Sequence, residues 1–143
     1  MAARLRLKAM SLLIAGSLAA TPALAGPSLV FDAATGEVIS QDRAGEPWYP
    51  ASLSKLMTAY VVFEKLKRGE MRLDQKLTVS ELASSQPASK VGMRPGSTIT
   101  VDLAVQMLLV YSANDMAYVL AEGTSGTYTE FAKLMNADAK RLG

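Results

Sequence analysis

The sequence contains neither histidine nor cysteine, and these two absences remove most of the usual hydrolytic chemistry. Without an imidazole there is no Ser-His-Asp triad, and without a thiol there is no cysteine nucleophile and no disulfide framework. Lacking both, the chain has no ordinary zinc site either, and no metal or cofactor is expected. Any nucleophile must therefore find a different base. An excess of one charge is also missing, with 15 Lys and Arg against 13 Asp and Glu. The small surplus sits in Arg4, Arg6 and Lys8, and residues 26–143 carry 12 cations and 13 anions, a net charge of −1. No basic stripe with interleaved aromatics remains, so the footprint of a nucleic-acid binder is absent.

Long apolar runs are missing as well. The run from Ala9 to Ala20 falls well short of the ~20 residues needed to span a bilayer. It follows the three cations and leads into Thr21-Pro22-Ala23-Leu24-Ala25, where small residues at 23 and 25 fit an Ala-x-Ala signal-peptidase site. Residues 1–25 are thus expected to be a signal peptide cleaved after Ala25, with the product exported to the periplasm or cell envelope and no membrane anchor within this chain. What remains, 26–143, is long enough for one domain with a modest core.

Ser28–Asp32 and Glu37–Gln41 read as two strands joined by the turn Ala33-Ala34-Thr35-Gly36, an opening hairpin. Leu53, Leu56, Met57, Tyr60, Val61 and Phe63 recur at helical spacing, predicting a helix from Ser52 to about Arg68, stopped by Gly69. Met71–Ser97 reads as irregular surface connection, with a short strand at Leu77–Val79, a helical turn near Glu81 and a turn at Arg94-Pro95-Gly96-Ser97. A strand end at Ile99–Val101 leads into an apolar, buried, central helix over Asp102–Tyr111. A further helix runs from Asn114 or Asp115 to about Glu122, ending near Gly123. Thr127-Tyr128-Thr129-Glu130 has the capping-box pattern of a third, with Phe131, Leu134 and Met135 inward. A lone hairpin is marginal, so the sheet expects more strands than these.

Two short motifs carry possible chemistry. Ser52-Leu53-Ser54-Lys55 puts a serine at a helix start and a lysine on the same face three residues later. A serine hydroxyl is a weak nucleophile until a base takes its proton, and Lys55 is the only local candidate, provided that its amine is uncharged. The helix start adds backbone N–H groups and a positive dipole end suited to a developing oxyanion. The plainer reading is that Ser52 caps the helix and Lys55 is solvated. About 60 residues on, Ser112-Ala113-Asn114 marks a junction between helices. Its hydroxyl could relay a proton, and its amide could bind a substrate carbonyl and hold Lys55 by hydrogen bonding. Simple capping accounts for both residue types equally well.

Together the motifs, with Trp48 to Glu64 and Gly92-Met93-Arg94-Pro95-Gly96 to Val101, make the chain resemble the serine-type D-alanyl-D-alanine carboxypeptidases, low-molecular-mass penicillin-binding proteins. The resemblance implies an α+β, β-lactamase/transpeptidase-like fold, an antiparallel sheet with a helical subdomain. It further implies Ser52 as the acylated nucleophile, Lys55 as general base, Ser112 as proton relay and Asn114 as the substrate-orienting amide, with the Ser52 N–H as one oxyanion donor. The partners implied are a peptidoglycan stem peptide ending in D-Ala-D-Ala and β-lactam antibiotics. Ala113, a small residue between Ser112 and Asn114, weighs modestly against a β-lactamase-type hydrolase, the first alternative. A catalytically inert secreted module is the second. The family also carries Lys-Thr-Gly on a later strand, which supplies the second oxyanion donor and a carboxylate-binding lysine. Neither Lys-Thr-Gly nor Lys-Ser-Gly occurs among these 143 residues. The expectation is the N-terminal part of a catalytic domain, truncated before the closing strands, and poorly folded or inactive by itself.

Overall fold

The computed structural model describes residues 26–143, which divide into two units, 26–49 and 50–143. The signal-peptide reading of residues 1–25 lies outside the described residues. In the first unit, β1 (Ser28–Phe31) pairs antiparallel with β2 (Val38–Asp42), with an irregularity in register between Val30 and Phe31. The turn between them is set by Asp32, whose Oδ1 accepts the N–H groups of Thr35 at 2.8 Å and Ala34 at 2.9 Å. Those bonds, Thr35 first, hold the Asp32 carboxyl below its ordinary range. Gly36 closes the turn at φ +76, a conformation that costs a residue without Cβ nothing. Both faces of the hairpin are exposed.

The second unit opens with a 3-10 turn, Ala51–Leu53, which runs directly into α1 (Ser54–Lys67). The serine at position 52 thus sits in the tighter turn before the α-helix, and not in the α-helix itself as its sequence spacing suggested. Then come β3 (Lys76–Thr78), the short α2 (Glu81–Ser84), β4 (Thr98–Thr100), α3 (Val101–Val110), α4 (Asn114–Ser125) and α5 (Tyr128–Leu142). Three of the four later helix starts are capped by a side chain: the hydroxyls of Ser80, Thr100 and Thr127 accept the N–H of Ala83, Leu103 and Glu130, whereas α4 follows Ala113 with no side-chain cap. The capping box at Thr127 is half made, because the Glu130 carboxylate pairs with Lys133 at 2.7 Å instead of reaching back.

Between β3 and β4 the chain is more than connection. The two strands pair antiparallel with Leu77 opposite Ile99, and both are buried. Arg94-Pro95-Gly96-Ser97 makes the turn, with Gly96 at φ +81 and its N–H on the Val79 carbonyl at 2.8 Å. Met71, Val79 and Ala83 are also buried, so this stretch contributes core where its irregular pattern suggested surface.

The central helix is α4 and not α3. It touches α1, α2, α3, α5 and β3, and it buries Asp115, Met116, Val119, Leu120 and Ala121. α3 buries only Val101, Ala104, Val105 and Leu108. Leu109 and Val110 lie outward, at 43% and 88% exposure. A run whose only polar side chains are Asp102 and Gln106, bonded to each other on one face, signals burial without declaring how central it is, which is why α3 read as the central helix.

Gly123 does not end α4, which continues to Ser125 and stops at Gly126 with φ +82. Its role is close approach: a Cβ there would lie 2.6 Å from Leu77 Cδ2 and 2.9 Å from Cδ1. Gly123→Ala gains about 1 kcal/mol of helix propensity but must displace a buried leucine, a cost of about 1–3 kcal/mol. Denaturant unfolding is expected to show a net loss of about 1 kcal/mol. In a Leu77→Ala background the same change should stabilise, so a loss there as well would refute the packing account. Among the described residues, no helix is long and apolar enough to cross a membrane.

Candidate active site

The chain bends sharply just before both hydroxyls of interest. Ala51, next to Ser52, has φ +47, and Ser112 itself has φ +57. A left-handed conformation costs a residue bearing Cβ about 1–2 kcal/mol, so the surrounding bonds must impose it. At the first bend, Leu53 N–H donates to the Pro50 carbonyl at 3.0 Å, and the Ser54 hydroxyl donates to the Ala51 carbonyl at 2.8 Å. At the second, the Met107 carbonyl accepts the N–H of both Tyr111 and Ala113 at 3.2 Å, closing α3 and turning the chain into α4.

These turns bring three side chains together. Lys55 Nζ lies 3.3 Å from Ser52 Oγ and 3.1 Å from Ser112 Oγ, and the two hydroxyl oxygens are 3.2 Å apart. Ser52 is exposed, while Lys55 and Ser112 are half-buried. An amine in contact with two hydroxyls can take a proton from one while the other passes a proton onward. Lys55 and the two hydroxyls stand between two clefts. One, of about 350 Å³, is mostly apolar and lined by Pro50, Leu53, Leu56, Leu108 and Leu109 beside the two serines. The other, of about 410 Å³, is lined by Ser52, Ser54, Lys55, Gln86, Asn114 and Tyr118.

Asn114 is placed at the second cleft, but its bonds differ from those expected. Its Nδ2 donates to the Pro87 carbonyl at 2.9 Å, and its backbone N–H donates to the Ser89 carbonyl at 2.7 Å. The partners of Lys55 are the two serines, so the hydroxyls hold the amine and the loop holds the amide. One Nδ2 hydrogen and Oδ1 remain for a ligand. The sequence reading missed the 86–92 loop, since backbone carbonyls have no residue-type signature. Among the described residues no group of three His, Cys, Asp or Glu side chains could hold a metal ion.

Residues 17–143 match the Peptidase S11 family, D-alanyl-D-alanine carboxypeptidase, and the chain belongs to that family. It is 36% identical over 109 residues to the D-alanyl-D-alanine carboxypeptidase DacF of Bacillus subtilis, an alignment covering 76% of this chain and 28% of that protein. The chain therefore spans about a third or less of the relative's length. The crystal structure of the D-alanyl-D-alanine carboxypeptidase DacD from Francisella tularensis superimposes with a TM-score of 0.77 at 33% identity, covering 90% of this chain and 33% of that one. Penicillin-binding protein D2 from Listeria monocytogenes, in its cefotaxime-bound form, gives 0.69 at 32% identity, with 86% and 50% covered. The fold is that of the penicillin-binding proteins, here as mixed helices and small antiparallel sheets.

Proposed function

We propose that the full-length protein is an exported serine-type D-Ala-D-Ala carboxypeptidase that removes the terminal D-alanine from peptidoglycan stem peptides and is acylated by β-lactams. The observation that carries this reading is the contact of one amine, Lys55, with the hydroxyls of Ser52 and Ser112 at 3.3 and 3.1 Å, in a chain without histidine or cysteine. Ser52 Oγ attacks the carbonyl carbon of the penultimate D-alanine while its proton passes to the Lys55 amine. The oxyanion forms beside the Ser52 N–H at the start of the helical segment. As the C–N bond breaks, the proton travels by way of Ser112 to the leaving D-alanine nitrogen. Water then hydrolyses the acyl-serine and restores the Ser52 hydroxyl. Asn114, held at the cleft by the Pro87 and Ser89 carbonyls, orients the peptide through its remaining N–H and Oδ1.

Incubated with benzylpenicillin, the full-length protein is expected to gain one penicilloyl mass, located on Ser52 by peptide mapping, and Ser52→Ala is expected to gain none. Rapid release of hydrolysed drug would point to a β-lactamase-type hydrolase. No adduct at all would point to an inert binding module.

A further inference from the structure

Asp115 is the only fully buried charged side chain among the described residues, at 0% exposure. Among them it pairs with no cation. Its oxygens are met by backbone: Oδ1 accepts Val91 N–H at 3.1 Å and Met116 N–H at 3.0 Å, and Oδ2 accepts Gly92 N–H at 2.9 Å. A carboxylate removed from water needs such compensation. A simple helix cap would draw it from its own first turn, yet two of these three donors belong to residues 91 and 92, more than 20 positions earlier in the chain.

That distant segment also builds the site. Gln86 and Pro87 line the second cleft, and the Pro87 and Ser89 carbonyls accept the two bonds from Asn114. Loop and helix start are therefore joined in both directions: Asn114 donates to the loop, and the loop donates to Asp115. Asp115 lines neither cleft, so anything it does for a ligand passes through its neighbours. It is also on the opposite side of Asn114, in chain order, from the Ser112 hydroxyl.

We propose that Asp115 is a positioning residue for acylation, fixing the 86–92 loop so that Pro87 and Ser89 hold the Asn114 amide at the substrate cleft. The proposal rests on the reading of Ser52 as nucleophile and adds a residue that never meets the ligand.

In the full-length protein, Asp115→Asn presents an N–H where Val91 or Gly92 already donates. The expected result is a saturation constant for benzylpenicillin raised at least about tenfold, with the limiting acylation rate within about threefold of the unaltered protein. On an Asn114→Ala background the same change should cost less than about threefold, because it acts through that amide. Equal losses on both backgrounds would mean a general structural role and would overturn the proposal. A readout independent of acylation separates its failure from failure of the functional reading. The Asn114 side-chain NH₂ resonances should shift in Asp115→Asn, and unchanged resonances overturn the proposal even if no adduct ever forms. Should that variant not fold, hydrogen exchange of the unaltered protein decides: Val91 and Gly92 amides as protected as Met116 support the clamp, and rapid exchange at both refutes it.

Discussion

Replacing Lys55 with alanine is expected to slow acylation of Ser52 by about 10³-fold or more while leaving the protein folded. The magnitude follows from the proposed role: a positioned base contributes about 10²- to 10⁴-fold, and Lys55 is the amine in contact with both serine hydroxyls. A factor of 10³ corresponds to about 4 kcal/mol of barrier. The fold should hardly notice, because the Lys55 amine bonds two serine hydroxyls in a partly open cleft, and these already bond each other at 3.2 Å. A melting temperature within about 4 °C of the parent is expected. Lys55→Arg sharpens the test. A guanidinium has much of the length but carries a proton that it never gives up at accessible pH. It should be as slow as the alanine variant to within about tenfold. An arginine variant that acylates normally would show that the residue acts by charge and not as a base.

The second large effect concerns stability. Phe131→Ala is expected to cost about 3–5 kcal/mol, the range for emptying a buried aromatic position, out of a total that is typically about 5–15 kcal/mol. The loss should not be spread evenly. Phe131 is the one fully buried residue of α5, and it stands beside a cavity of about 170 Å³ that also touches Thr58, Ala117, Tyr118 and Met135. What else ties α5 down is less buried: Leu134 and Met135, which are partly buried against the core, Tyr128 against Tyr118 with ring centroids 5.6 Å apart, and Arg141 on the Tyr60 hydroxyl at 2.6 Å. Hydrogen exchange should therefore show α5 losing most of its protection, while α4, packed on four other helices and a strand, retains its own. Uniform loss along both helices would mean that α5 is not the separable element its packing describes.

Much of this was legible in the sequence, and the rest was hidden for identifiable reasons. Ser52 and Lys55 are three residues apart, so one turn of helix brings them together. Thr127 and the apolar spacing after it foretold α5 in the same local way. Ser112 came into view because a hydroxyl and an amide two positions apart form a compact motif. What stayed hidden was non-local or was masked by composition. The pairing of Leu77 with Ile99 crosses some 20 residues of irregular chain. Gly123 resembles a helix stop, and only the proximity of Leu77 explains it. Asp115 resembles a first-turn acid, and nothing in its neighbours announces that Val91 and Gly92 will donate to it.

The contact between Lys55 and Ser112 spans 57 positions of sequence, whereas the one between Lys55 and Ser52 spans three. Ser52 and Lys55 can meet whenever a single turn winds up, but Ser112 joins them only when the long stretch of chain between has been ordered, at an entropic cost that local winding never bears. On the proposed reading, acylation of Ser52 draws on the tertiary contact as well as on the local turn.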